Sequence, residues 1–402
     1  MNNIIGQPKL LKEINNRRVL EILSNQRVVS RSQLTKQTGL SKATISLLVD
    51  KLLRIGFLEN AGTGNSSGGR PPILLKFKPN IAYALGAHMR DREWHLVATN
   101  LDGKIVNSMT FNIPNNTPRQ AISVLVKGVR SLMNKVPKKK ILPALGIGTP
   151  GLVDVRSGII KSAVDIGWAD IPIKKMVEEE LSLQVFIANR SKCGALAEYW
   201  NTESPGLKDL IYISIGTGVA AGIIHNGELF IGANSYAGEL GHITILPNGP
   251  VCPCGNRGCL QQLISKNAIE NRAKKKLKGN YKSILKKTLK NHSKIIEVYD
   301  VIEAAENGDK FSQEIIEEIS DYLSIAVGNL INLFNPQLII IGGPIGTKSG
   351  LLIQYLREKV RKRAMVYPLA TVEIKSSSLG TNASAIGASV LVLQKIHQLL
   401  SI

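Results

Sequence analysis

Three apolar runs of strand length end in glycine-rich turns: ALGIGTPG at 144–151, LIYISIGTG at 210–218 and QLIIIGGPIG at 337–346. An apolar strand that stops on glycines and gives way to helical sequence is the punctuation of an α/β layer, because glycine tolerates the tight turn at the sheet edge. YALGAHM, HLVATN and VFIANR read as further strands. Helical patterns lie near Ala121 to Met133, between Lys266 and Phe334 and from about Asn382, while the residues after HLVATN read as a polar stretch. The alternation predicts two α/β lobes with a cleft between them, and the turns at Ile215 to Gly218 and Ile341 to Gly346 have the composition of a phosphate cradle. A chain of 402 residues has room for a further module. No apolar run reaches the roughly 18 residues a bilayer span needs, and MNNIIGQPKLLKEINNRR lacks the apolar core of a secretory signal, so no membrane contact and a cytoplasmic location are expected.

The further module is the first 80 residues. They carry 13 Lys or Arg against 4 Asp or Glu, +9 of the chain's net +21, a concentration that points to nucleic acid. Leu10 to Leu23 reads as an amphipathic helix, and SRSQLTKQTGLSKATISLLVDKLLRIGFL holds two more helices joined by a turn. Ser30 and Ser41 are placed to cap them and Gly39 to make the turn. Ile45, Leu48, Val49 and Leu52 share a buried face, which turns the N-terminal end of the second helix outward as a recognition helix turns toward the major groove. GFLENAGTGNSSGGRPPILLKFKP then reads as two strands around a Gly/Ser loop, a β-wing whose Arg70 can enter a narrow minor groove. Arg31, Ser41, Lys42, Ala43, Thr44, Ser46 and Arg70 are the candidate contacts to double-stranded operator DNA.

A different chemistry is concentrated in AGELGHITILPNGPVCPCGNRGCLQQ. His242, Cys252, Cys254 and Cys259 have the spacing H-x9-C-x-C-x4-C, a set of one imidazole and three thiolates suited to tetrahedral Zn(II). Four protein ligands leave no open position for water, so the zinc is expected to be structural. Cys193, far away in sequence, reads as a small buried residue.

GIGTPGLVD at 146–154, IGTGVAAGIIHNGELFIGANSYAGELGH at 215–242 and CPCGNRGC at 252–259 resemble the signatures of the ROK family of repressors, open reading frames and sugar kinases. The resemblance covers essentially the whole chain, and the segment ending in GGRPP is similar to that of the repressor branch. It implies an N-terminal winged helix-turn-helix (1–80) plus a two-lobed α/β actin-like body. The body's first lobe spans 81–200 and is joined by a C-terminal helix at 383–402; the second spans 201–382 and holds the zinc site. Within the branch, repressors of xylose use are the nearest resemblance, and paired half-sites imply a homodimer or tetramer.

Family kinases have a D-x-G-G-T phosphate loop after the first strand and a catalytic Asp after an Asn. Here LGAHMRDREW places Ala87 at that Asp, with Met89 and Arg90 where the glycines would be, and N-R-S-K-C-G-A-L-A-E places Arg190 at the base. Arginine, with a pKa above about 12, cannot take a proton from a sugar hydroxyl, so no catalytic residue and no enzyme activity are expected. By resemblance Asn189, Glu239 and His242 contact an effector sugar. Gln261 stands where the family usually has Glu, and Val164 and Asp165 replace a P-N-L pattern. Arg190 has three readings: it pairs with a carboxylate such as Glu239 and locks the cleft, it binds a sugar or sugar phosphate effector, or it points to solvent.

Overall fold

The structure, a computed structural model, describes residues 28–399 except 65–70, 91, 203, 205, 280 and 287–295, together with residues 15, 19, 22, 23 and 26. Most of the helix expected over Leu10 to Leu23 therefore lies outside the described residues, as does Arg70. The described positions in that span are helical, and Val19 and Leu23 are buried.

The N-terminal elements follow the local signals. Strand β1 (Val28–Ser30) leads into α1 (Arg31–Thr38), where the Ser30 hydroxyl accepts from the Gln33 N–H and the Gln33 side chain accepts from the Ser30 N–H, a reciprocal capping box. Gly39, at φ 72°, ends α1 in the left-handed region. The Ser41 hydroxyl accepts from the Thr44 N–H and starts α2 (Lys42–Arg54), which buries Ile45, Leu48, Val49 and Leu52. Strands β2 (Leu58–Thr63) and β3 (Ile73–Phe77) pair antiparallel as a wing, and β1 adds to the other edge of β3.

The remainder is built on two five-stranded mixed sheets. In the first, β4 (Tyr83–Arg90), β5 (Glu93–Asn100) and β6 (Ile105–Asn112) form an antiparallel meander. Helix α3 (Pro118–Met133) then leads to β7 (Ile141–Thr149), parallel to β4. A small three-stranded sheet, β8 (Leu152–Asp154), β9 (Ile159–Ala163) and β10 (Trp168–Ile171), and helix α4 (Ile173–Leu181) precede β11 (Gln184–Asn189), parallel to β7. Strand β6 corrects the reading of the residues after HLVATN as a polar stretch: its residues alternate between half-buried and exposed along a sheet edge, so half of them are polar.

Helix α5 (Arg190–Asn201) crosses to the second sheet, where β12 (Leu210–Ile215) lies between β13 (Val219–His225) and β15 (Leu338–Gly342), with β14 (Glu228–Leu229) and β16 (Glu373–Ser376) at the edges. Helices α6 (Leu260–Ile264), α7 (Lys266–Leu277), α8 (Val298–Glu306) and the long α9 (Lys310–Phe334) come between β14 and β15 in sequence and contribute to the core behind this sheet. No described helix is long and apolar enough to cross a membrane.

The last long helix, α10 (Ala383–Leu393), packs on the first sheet and on α5. Ten of its eleven residues are buried, so its small side chains decide how closely it can approach. A Cβ added at Gly146 of β7 would lie 1.7 Å from the Ala388 carbonyl oxygen, and one at Gly387 would lie 1.6 Å from the Cys193 carbonyl oxygen of α5. On the opposite side of α5, a Cβ at Gly194 would meet the Tyr212 ring at 2.3 Å, and one at Gly222 the Ser191 carbonyl oxygen at 2.4 Å. Helix α5 is thus clamped between the lobes by contacts that only glycine permits.

Gly387→Ala is expected to lower the urea midpoint by an amount corresponding to about 1–3 kcal/mol, the usual cost of overpacking a core. Gly350→Ala, where an added methyl meets only ordinary van der Waals neighbours, should leave the midpoint within error and serves as the comparison.

Candidate functional site

The clamped helix begins at the cleft. Asn189 caps it: its Oδ1 accepts from the Ser191 N–H at 2.8 Å and from the Ser191 hydroxyl at 2.7 Å, and its Nδ2 donates to the Gly151 carbonyl at 2.7 Å. Its amide therefore ties α5 to the turn after β7 and keeps one N–H for a ligand. Arg190 follows, with a side chain only 19% exposed, so it does not point to solvent. It does not lock onto Glu239 by an ion pair either. Its Nη2 stands 3.9 Å from Asp165 Oδ2 and donates to Thr217 Oγ1 at 3.4 Å.

Asn189, Arg190, Glu239, His242 and Gln261 all line one cavity of about 440 Å³, with Val164 and Asp165 on its rim. Gln261 is held by the Val219 N–H, which donates to its Oε1 at 3.2 Å. Burial pushes the Glu239 carboxyl above its usual range, while Lys192 and Arg190 nearby pull it back down. Lys192, one turn into α5 and 3% exposed, donates from Nζ to the Ser235 carbonyl at 2.5 Å and so braces the loop that carries Glu239. Sequence reasoning missed Lys192 and the pairing of Asp165 with Arg190. The available signal was a second cation two residues after the first, the two standing where the family's pattern has Asp and Asn.

The cavity floor adjoins the cysteine cluster. The His242, Cys252, Cys254 and Cys259 donor atoms all lie within 4.8 Å of one another, with 3.7 Å between Cys252 Sγ and His242 Nδ1 and 3.8 Å between Cys254 Sγ and Cys259 Sγ. Backbone bonds shape the loop: the Cys252 N–H donates to the Asn256 carbonyl at 2.7 Å and the Gly258 N–H to the Pro250 carbonyl at 2.8 Å. Gly258 must be glycine, since at φ 64° an added Cβ would lie 1.6 Å from the Leu246 carbonyl oxygen. Three thiols and an imidazole gathered in this way can hold a metal ion. Cys193 stands apart, fully buried at the α5–α10 contact.

Where the family's kinases have their phosphate loop, β4 and β5 pair antiparallel as far as Arg90 opposite Glu93. Ala87 and Met89 are both buried in the core of the first lobe, so Met89 does not obstruct the cleft. Arg90 reaches a cavity, as does His88 of the same strand.

In the winged helix, Ser41, Lys42 and Ala43 are exposed at the start of α2, and Thr44 is half-buried with its hydroxyl 2.9 Å from that of Ser41. Arg31 donates to Ser46 Oγ at 2.7 Å and pairs with Asp50 at 2.5 Å, so Arg31 and Ser46 fasten α1 to α2. Leu47, 73% exposed and one turn beyond Ala43, extends the apolar part of the presented face and was missed in the sequence because an outward leucine breaks the helical pattern.

A sequence profile described as the ROK family matches residues 89–395. The chain belongs to the ROK family. The xylose repressor of Caldicellulosiruptor bescii is 32% identical over 393 residues, 97% of this chain and 98% of that protein. A glucokinase of Halalkalibacterium halodurans is 35% identical over 258 residues, 64% of this chain and 78% of that enzyme. The crystal structure of a ROK family transcriptional regulator, a homologue of the E. coli MLC protein, superposes with a TM-score of 0.84 at 25% identity, covering 97% of this chain and 98% of that one. The ROK body and the winged helix are thus both accounted for by a regulator of the same length, whereas the glucokinase match covers a smaller share.

The His/Cys cluster yields a direct expectation. Cys259→Ser should remove bound metal, measured by elemental analysis of the purified protein, and lower the melting temperature by several degrees. Cys193→Ser should retain the metal.

Proposed function

We propose that this ROK protein is a sugar-responsive transcriptional repressor of a carbohydrate operon, with xylose the first effector to test. Residues 1–80 act as the DNA-binding unit. The lobes at 81–200 with 383–402 and at 201–382 act as the effector-sensing body. The observation that carries this reading is Arg190 at the start of α5, in the position where the family's kinases keep their base, with its charge facing Asp165 at 3.9 Å. A guanidinium cannot accept the hydroxyl proton, so phosphoryl transfer lacks its base.

In this reading Glu239 and His242 meet sugar hydroxyls from one side of the cleft and the remaining Asn189 N–H meets them from the other, with Gln261 and Arg190 completing the polar lining. A carboxylate, an amide and an imidazole together accept and donate as vicinal hydroxyls require. His242, Cys252, Cys254 and Cys259 would hold a zinc ion in a structural role, since three thiolates and an imidazole fill its four positions and leave none for water. Xylose repressors among its relatives and a full-length match to a transcriptional regulator support the DNA role.

On DNA, the start of α2 enters the major groove: Ser41, Lys42 and Thr44 serve the backbone and base edges, and Ala43 with Leu47 the thymine methyls. Arg31 and Ser46 position the helix, and Arg70 serves the minor groove. Two copies engage two half-sites, and an effector that favours one lobe arrangement changes their spacing.

Calorimetry should give saturable xylose binding that Glu239→Ala weakens by roughly 10- to 100-fold, the worth of a charged hydrogen bond. No transfer from ATP to a panel of sugars should be detectable, and turnover sensitive to Glu239→Ala would overturn the repressor-only reading. Lys42→Ala should weaken binding to the promoter beside the protein's own gene and reduce the salt slope by about one.

A further inference from the structure

The positive charge of the chain is concentrated in two places. Of the net +21, +9 belongs to residues 1–80 and +10 to residues 266–294, which hold 11 Lys or Arg against Glu270 alone, so the other 293 residues carry only +2. The second concentration lies in the second lobe. Neither the effector cleft nor the His/Cys cluster draws on it.

Packing holds its exposed cations in place. Helix α7 buries Ile269, Ala273 and Leu277 and turns Lys275, with Lys278 just past its end, to solvent. After it, Tyr281 packs on Phe311 at 5.3 Å between ring centroids, the Ser283 hydroxyl donates to Asp309 Oδ2 at 2.8 Å, and the Lys286 ammonium donates to the Gly279 carbonyl at 3.0 Å. Lys282 is exposed on this fastened segment. The acidic residues nearby are already engaged: Glu318 pairs with Arg272 and Lys276, each at 3.1 Å, Glu270 stands 3.8 Å from Lys266, and Asp309 caps α9. Among the described residues no carboxylate comes within ion-pair distance of Lys275, Lys278 or Lys282. A helix C-terminus favours cations in its last turn, which accounts for Lys275 and not for Lys282.

We propose that this surface is a second DNA contact, through which Lys275, Lys278 and Lys282 bind phosphates of the duplex flanking the operator, whatever its sequence. The inference rests on the DNA-binding reading of residues 1–80 and adds that the body touches DNA as well. Lysine suits the role, since an ammonium is a point charge that neutralises a phosphate without reading a base. A bilayer fits less well: the apolar face of α7 is spent in the core, and none is left to enter lipid. So does a protein partner, because the cores of protein interfaces are poor in Lys and rich in aromatic side chains. Here the exposed large apolar side chains among the described residues are Tyr281 and Ile284, set among the lysines.

The test uses the full-length protein and two duplexes from the promoter beside its own gene. One is trimmed to the protected operator, and the other keeps about 20 bp more on each side, roughly 70 Å of DNA. The proteins compared are the natural chain, the triple variant Lys275→Gln/Lys278→Gln/Lys282→Gln, and a control triple, Lys104→Gln/Lys127→Gln/Lys135→Gln, which removes as many exposed charges from the first lobe. The natural chain and the control should bind the long duplex roughly tenfold or more tightly than the short one, with a slope of log K against log salt steeper by about 2–3, since each neutralised phosphate adds ~0.9. The triple variant should match the natural chain on the short duplex and lose most of the gain on the long one. Equal affinity and slope on the two duplexes, a gain that the triple variant keeps, or an equal loss in the control would each overturn the proposal and leave the operator reading in place. Failure to bind either duplex overturns both. Vesicles of phosphatidylcholine and phosphatidylserine should leave the protein in solution on sedimentation, and capture that the triple variant loses would assign the surface to a membrane instead. Unchanged melting temperature in the variants shows that they fold.

Discussion

The structure depends on how closely helix α5 is held between the lobes. On one side α10 approaches so near that Gly146 and Gly387 have no room for a methyl group; on the other, Gly194 and Gly222 allow Tyr212 and β13 the same approach. Interiors packed at this density transmit displacement rather than absorb it. Asn189 and Arg190 stand at the first turn of this rigid element, where Asn189 also ties it to the turn after β7. The cleft is therefore built at the point where the chain passes from one sheet to the other, and any shift between the sheets is felt there first.

The charges gathered at that point differ from those a phosphoryl-transfer enzyme requires. Arg190 is partly compensated by Asp165, and Lys192 is buried against the Ser235 carbonyl near Glu239. Of the two carboxylates that line the cleft, Asp165 faces Arg190, and Glu239 is pushed up by burial while Lys192 and Arg190 pull it back down. The cysteine cluster adjoins the cleft, because His242 belongs both to the set able to hold a metal and to the cavity lining.

The winged helix has its own fastening. Arg31 bridges α1 to Ser46 and Asp50 of α2, so the recognition helix moves with α1 and not by itself. The exposed residues at the start of α2 are small or apolar except Lys42.

Much of this was legible in the sequence. Capping serines at 30 and 41, Gly39, the wing strands and the strands ending in glycine are local signals, and local signals fix local structure. The spacing of His242, Cys252, Cys254 and Cys259 was equally readable, because donor type and loop length constrain a metal site directly. Edge strand β6 was not, since a strand with one face in solvent is half polar. Nor could sequence choose among the readings of Arg190, for which a partner 25 residues upstream and a hydroxyl 27 residues downstream became neighbours only on folding. The sequence by itself determined which chemistry was missing, an acid replaced by an arginine. Only the tertiary structure decided what that arginine faces, because the cavity it lines is formed by strands and turns from both sheets.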